Sequence, residues 1–242
     1  MRLAVLTTET LHHAHFVRAL NTGERSVVAF IEPPVLARYE TGHAFEIERD
    51  ASERRRWFDG AQAAFCDFAD VEACNDINSA AKSVRSFSPD LTIAFGARII
   101  KGEMFRSCPL MFNLHGGDPC TYRGSDTHLW AIWHRAFDAL KTCLHVLTPD
   151  LDAGDIAGIE PVPIARNMKL AELRAANTEL CIALVERAIS ELSTTGRIKA
   201  FPQQGAGRVY SHMPAVLKDI CVRRFERYTG TLDDGLRGAP AS

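Results

Sequence analysis

The chain has 242 residues, 46% of them hydrophobic and 24% charged, with a formal net charge of −2. It is long and apolar enough to bury a full core, as one domain or as one domain with a small appendage. The near-neutral balance excludes the basic footprint that tRNA or DNA binding requires, whereas a nucleotide ligand needs only a few placed arginines.

The opening run Leu3 to Leu6 reads as a first strand and is too short for a signal peptide. No apolar run approaches the about 20 residues that span a bilayer. Leu11 to Leu20 is a predicted helix and Ser26 to Ile31 a second strand. The turn between the first strand and helix, Thr7-Thr8-Glu9-Thr10, lacks glycine, so the G-x-G-x-x-G of dinucleotide enzymes is absent. His12, His13 and His15 have no acidic or cysteine partner at metal-ligand spacing and read as an ordinary helix surface. That helix starts at the carboxyl end of a strand, which places one of the three near any substrate.

Residues 32 to 60 interrupt the rhythm and read as an insertion carrying a helical segment. Its cluster Arg54-Arg55-Arg56-Trp57 has two readings. One is a solvated helix face, the usual fate of a charge run. The other is a clamp for a diphosphate with an indole platform for a base. Asn78 to Phe87 reads as a helix, stopped by Ser88-Pro89-Asp90, and Leu91 to Phe95 as a strand. The run from Pro109 to Phe112 continues as a buried strand into Asn113-Leu114-His115, and Gly116-Gly117-Asp118-Pro119 stops it. A helix from Thr127 to Leu140 and a strand from Thr142 to Leu147 follow. Asn167 is placed to cap a long helix whose stripe runs through Leu173, Ala176, Leu180, Leu184, Ala188 and Leu192, with Gly196 ending it. Residues 203–210 read as a hairpin or loop, Ala215 to Tyr228 as a final helix, and the rest as a loose tail.

Alternating strands and helices predict an α/β fold with a Rossmann-like, mainly parallel sheet covered on both faces. A catalytic domain over residues 1–165 is expected, with a helix, hairpin and helix extension over 166–242. The seven cysteines are scattered with no Cys-x-x-Cys pair, as in a reduced, cytoplasmic protein with neither a disulfide framework nor a zinc knuckle. The final helices leave a homodimer interface open, although such stripes more often form intramolecular core.

Side chains alternate along a strand, so Asn113 and His115 point the same way. This sets an amide and an imidazole together at the carboxyl end of a strand, where open α/β sheets bind ligands. A carboxylate arriving from Leu151-Asp152-Ala153-Gly154 would orient or charge the histidine.

These residues carry a resemblance. Asn113-x-His115 followed by Leu151-Asp152-Ala153-Gly154 resembles the signature of the folate-dependent formyltransferases, which include the sugar N-formyltransferases. Ala94 to Ile100 resembles the family stretch that borders the pterin, and His145 matches a histidine in the strand before the Asp-bearing loop. The match is good over about residues 90 to 165 and loose in the first strands. It implies that Asn113, His115 and Asp152 are catalytic and that 10-formyltetrahydrofolate is the donor, with no metal. Asn113 and a protonated His115 would donate to the oxyanion, and Asp152 would raise the imidazole's pKa. Main-chain groups near Arg98, Ile100 and Asp150 would hold the pterin, walled by Phe95, Ile99 and Leu151. The chain departs from the family's Pro-Ser-Leu-Leu-Pro loop with Gly116-Gly117-Asp118-Pro119, which bears on the acceptor. It also lacks the residues for the β-barrel with which tRNA formyltransferases grip tRNA.

Among relatives, the pattern most resembles small sugar N-formyltransferases of lipopolysaccharide and other polysaccharide biosynthesis. That implies a nucleotide-linked amino sugar as acceptor, of the 4-amino-4,6-dideoxyhexose type, touched by Tyr122, Arg123, His128 and Tyr210. Arg54, Arg55 and Trp57 would anchor its diphosphate and base. Three alternatives remain at this point: formylation of hydroxyornithine in siderophore assembly, hydrolysis of the formyl donor, and a silent folate- or nucleotide-binding module.

Overall fold

Leu3, Ala4, Val5 and Leu6 are all fully buried in the computed structural model, which describes residues 1–34 and 37–233. Such continuous burial is the mark of a parallel strand covered on both faces. They form β1 (Arg2–Thr8), which pairs in parallel with β2 (Ser26–Glu32) on one side and β4 (Leu91–Phe95) on the other. β2 carries a short edge strand, β3 (Asp70–Ala73), that the sequence did not signal because its side chains are largely exposed. β4 pairs with β5 (Met111–Gly116), again in parallel. β5 then meets β7 (Lys141–Val146) antiparallel, and β7 meets β8 (Ile156–Pro161) antiparallel. The seven-stranded order is β3-β2-β1-β4-β5-β7-β8. The expected α/β, mainly parallel sheet is therefore present. Strand order reverses beside β1, and the carboxyl ends of β1, β4 and β5 open there together, the position at which such sheets take ligands.

One face is covered by α1 (Leu11–Leu20) and by α5 (Leu170–Thr195), whose Phe16, Val17, Leu184, Val185 and Ala188 pack with Phe112, Leu114 and Leu144 of the sheet. The opposite face carries α3 (Ala81–Phe87), with Val84 packed against Ala4, Leu6 and Met111. A third cluster joins α4 (Thr127–His134) to the start of α5 and to α6 (Ala215–Gly230) through Leu129, Ile132, Leu170, Leu173, Cys221 and Phe225. Residues 166–230 thus close one sheet face and one end of the site, packed against the elements before them. The tail expected to be loose lies, from residue 234 onward, outside the described residues.

Several element boundaries differ from expectation for local reasons. α4 stops at His134 because Arg135 turns left-handed (φ 61°) and its N–H caps Ala131 and Ile132; a 3-10 turn then covers Phe137–Ala139. Asn167 does not cap α5. It is left-handed (φ 59°), with its N–H bonded to Thr229, and the helix opens at Lys169, whose N–H donates to Glu172. Gly196 does end α5 in the left-handed conformation expected of it. Residues 203–210 form no hairpin of their own: β9 (Arg208–Tyr210) pairs in parallel with β6 (Tyr122–Gly124) in a separate two-stranded sheet.

Candidate active site

Phe112 and Leu114 enter the core under α1 and α5, so Asn113 and His115, one residue out of step, face the other way. The register sets Asn113 opposite His145 and His115 opposite Cys143 across the antiparallel pair, so the two strands contribute to one face. The chain then returns from β7 through residues 147–155 and delivers Asp152 onto that face. Asp152 is left-handed (φ 49°), a conformation that Asp and Asn accept better than other side chains. Gly154 lets this turn close: a Cβ there would stand 1.8 Å from the carbonyl oxygen of Val146.

The three expected catalytic side chains meet. Asn113 Nδ2 donates to Asp152 Oδ1 at 3.1 Å and also lies 3.1 Å from His145 Nε2. The Nδ1 of His145 faces the Val146 carbonyl at 2.9 Å, and a carbonyl only accepts. His145 therefore donates from Nδ1, and its Nε2 faces both the Asn113 amide and, at 3.4 Å, Asp152 Oδ1. His115 Nδ1 lies 3.4 Å from Asp152 Oδ2, and its Nε2 donates to the Tyr122 carbonyl at 2.8 Å. The other donor to Asp152 Oδ2 is the Gly124 N–H at 2.8 Å. Gln203, which the sequence reading passed over, ties the turn by donating to the carbonyls of Asp152 and Gly154.

Burial depresses the His115 pKa more than Asp152 and the Tyr122 carbonyl raise it, which favours the uncharged imidazole at neutral pH. Burial also opposes charge on Asp152. Hydrogen bonding with His145, the field of His115 and the Gly124 N–H outweigh it, and the carboxyl titrates below its usual range. The resting cluster is a carboxylate beside an imidazole whose Nδ1 lone pair is open to a proton.

The cluster opens onto a cavity of about 920 Å³. All six residues expected to border the pterin line it: Phe95, Arg98, Ile99, Ile100, Asp150 and Leu151. Ile99 and Leu151, 63% and 38% exposed, present bare apolar surface from two different loops. Glu32, fully buried at the end of β2, holds the first of these loops by accepting from the N–H groups of Arg98 and Ile77.

The expected acceptor contacts divide. His128 and Tyr210 line the cavity. Tyr122 contributes its carbonyl to His115, while its ring stacks on Tyr210 and its hydroxyl reaches His134. Arg123 is turned to Pro119, Gln203 and Gly205, bracing the β6–β9 wall. Arg54, Arg55 and Trp57 do not reach the cavity. They lie in α2 (Ala44–Phe58), where Trp57 is 7% exposed, stacked on His15, with its Nε1 donating to Glu179 of α5. Arg54 reaches Ala61 and Gln62, and Arg55 is exposed. The reason is helical phase: the indole serves as the apolar anchor of α2, which turns the neighbouring arginines to solvent.

The face of α2 that does reach the cavity carries Phe45, Glu46 and Arg49, joined by Arg174 and Asn177 of α5 and His12 of α1. None of these but His12 was singled out from sequence. The available signal was a polar residue inside an apolar helix face: Asn177 is 7% exposed and accepts from Thr142. His13 is buried against Gly96 and bonded to Thr8, and His15 stacks on Trp57, so the three histidines do not converge on a metal. Among the described residues no group of three His, Cys, Asp or Glu is arranged to hold one, and no helix is long and apolar enough to cross a membrane.

No family model matches the chain, and no curated protein matches it by sequence. Solved structures do. HypX from Aquifex aeolicus (A392F-I419F variant) superposes with a TM-score of 0.59 at 19% identity, covering 96% of this chain and 34% of that one. The chain thus spans about a third of the length of HypX. A 4-N formyltransferase from Francisella tularensis gives 0.58 at 14% identity, covering 93% and 87%. WlaRD, a sugar 3N-formyl transferase solved in the presence of dTDP and 5-N-formyl-THF, gives 0.57 at 12% identity, covering 96% and 80%. This chain has the formyltransferase fold, and the sugar N-formyltransferases share it over most of their length.

Proposed function

We propose that the chain transfers a formyl group from 10-formyltetrahydrofolate to the primary amine of a nucleotide-linked amino sugar. The single observation that carries this reading is the Asn113–His115–Asp152 cluster opening onto a cavity lined by the β4 loop and the loop bearing Asp152. Ile99 and Leu151 suit a flat heterocycle lying between two loops, with Asp150 and the backbone near Arg98 and Ile100 as polar partners. The donor supplies an electrophilic formyl carbon when bound.

The residues then divide the work. The proton shed by the amine as its C–N bond forms goes to the gap between His115 Nδ1 and Asp152 Oδ2, where a neutral imidazole and an ionised carboxylate both accept, and it passes from there to the nitrogen of the departing tetrahydrofolate as the donor C–N bond breaks. A carboxyl that has taken a proton is a weaker acceptor, so Asn113 is released from Asp152. Its freed N–H turns to the oxygen on which negative charge develops. Tyr122, through its carbonyl, keeps the His115 ring in one tautomer throughout.

A second reading has its own observation. With Arg54 to Arg56 away from the cavity, a smaller acceptor such as hydroxyornithine needs no diphosphate anchor there. Tetrahydrofolate release from 10-formyltetrahydrofolate, measured with a panel of nucleotide-linked amino sugars, with hydroxyornithine and with water alone, separates these. Turnover with an amino sugar is expected. Turnover only with hydroxyornithine replaces the acceptor, turnover with water alone makes the protein a hydrolase, and no turnover with donor still bound sinks the transfer reading.

A further inference from the structure

The diphosphate anchor sought in Arg54 to Arg56 has a different candidate on the same helix. Arg49 sits on the face of α2 that lines the cavity, and Arg174 meets it from α5. Both are held from behind. Arg174 Nε donates to Glu53 Oε1 at 2.7 Å, and its Nη2 donates to Glu53 Oε2 and to Asp50 Oδ1. Arg49 Nε donates to the same Asp50 oxygen at 3.0 Å, and its Nη1 lies 3.5 Å from Glu46. Glu53, 1% exposed, anchors the assembly, and Lys218 fixes Glu46 from the far side at 2.9 Å.

The carboxylates hold the Nε–Nη2 edge of Arg174, and Nε and Nη1 of Arg49, which leaves one terminal nitrogen of each guanidinium. Arg174 Nη1 and Arg49 Nη2 have no hydrogen-bond partner among the described residues, although the side chains are only 22% and 17% exposed. Two planar donors bridged through one oxygen, partly withdrawn from water, are a prepared anion site. Burial, His13 and then the positive charges of Arg174 and Arg49 hold His12 well below the ordinary imidazole range, as expected if both guanidinia act on the cavity that His12 lines.

The site also has a position relative to the chemistry. Arg174 lies one helical turn before Asn177, whose amide stands 3.7 Å from where a Cβ on Gly116, next to His115, would be. We propose that Arg49 and Arg174 form the anion subsite of the acceptor, taking a diphosphate or a carboxylate carried by the substrate whose amine reaches His115. This rests on the formyl-transfer reading above. The donor side has separate cations in Arg98 and Lys101.

The test uses inorganic pyrophosphate and L-ornithine as probes, titrated calorimetrically into the wild-type chain, Arg49→Gln and Arg174→Lys. Arg174→Lys keeps a cation beside Glu53, and thermal melts establish that both variants fold. One probe should bind wild type and weaken about tenfold or more in Arg49→Gln, its identity telling a diphosphate from a carboxylate. In turnover, the acceptor KM should rise in both variants while the donor KM holds. Equal probe binding by wild type and Arg49→Gln, no binding by wild type, or a rise in the donor KM instead would overturn the assignment. Loss of probe binding in a protein that formylates no amine would keep the anion subsite and remove the formyl-transfer reading. Formyl transfer with an unchanged acceptor KM in Arg49→Gln would do the reverse.

Discussion

Asp152 is the residue on which the site turns, because it accepts from Asn113 and Gly124 while facing His115 and His145 within 3.4 Å. Asp152→Asn keeps the shape but removes the charge, and it should cost roughly 10²- to 10⁴-fold in kcat/KM, as should His115→Ala. Retention of full turnover by either variant would remove the proton-transfer role. The pH profile follows from the same pair. His115 titrates below the ordinary 6.5 and Asp152 below the ordinary 3.8, so both are ready to accept at neutral pH. Protonation of His115 on acidification withdraws the acceptor, so kcat/KM should rise as pH increases through a value under 6.5 and then level off. A rate still rising steeply above that value would mean the imidazole is charged at rest.

At the scale of elements, α2 shows how an arginine run misleads when its phase is unknown. Trp57→Ala opens a hole between α2 and α5, and its expected cost in urea denaturation is about 3–5 kcal/mol. Arg54→Ala and Arg55→Ala should stay within about 0.5 kcal/mol and leave the acceptor KM alone, since neither side chain reaches the cavity. A changed acceptor KM in either would reinstate the arginine run as an anchor. The β6–β9 pair is a second such element. Gly124 is at φ 92°, and a Cβ there would stand 2.2 Å from the Tyr210 carbonyl oxygen. Gly124→Ala should destabilise by about 2 kcal/mol or more and lower turnover by displacing the backbone N–H that Asp152 accepts. The parallel partnership of these two short strands was not legible, because paired residues such as Tyr122 and Arg208 stand 86 positions apart in sequence, and three-residue strands carry too little alternation to reveal a partner.

Across the whole molecule, neutral buried imidazoles set the acid limit of stability. His13 is held at about 3 by burial, against its bond to Thr8, and His128 at about 4 by burial, against its bond to Lys141. Both lie below the ordinary 6.5, so as pH falls beneath that value the unfolded chain takes up protons that the folded chain refuses. Stability is thus complete above 6.5 and declines toward the folded values, by up to about 1.4 kcal/mol per pH unit for each imidazole. Urea melts across this range check the slope, and His128→Gln should lessen it by one proton's share. An unchanged slope would mean that His128 is charged in the folded protein.

Strand alternation is a local property, and it sufficed to put Asn113 and His115 on one face at a strand end; helical periodicity likewise sufficed to place α1, most of α5 and α6. The Leu-Asp-Ala-Gly turn was legible through the resemblance it carries, and the structure adds why its glycine is needed: a side chain at Gly154 would meet the Val146 carbonyl. Tertiary structure alone decided that burial overrides Asp152 in setting the charge of His115. It also decided that α2 offers Arg49 rather than Arg54 to the cavity, and that Arg174, Asn177 and Gln203 come from far along the chain to complete the walls. Desolvation and helix phase depend on what packs around a residue, and no window of sequence contains those neighbours.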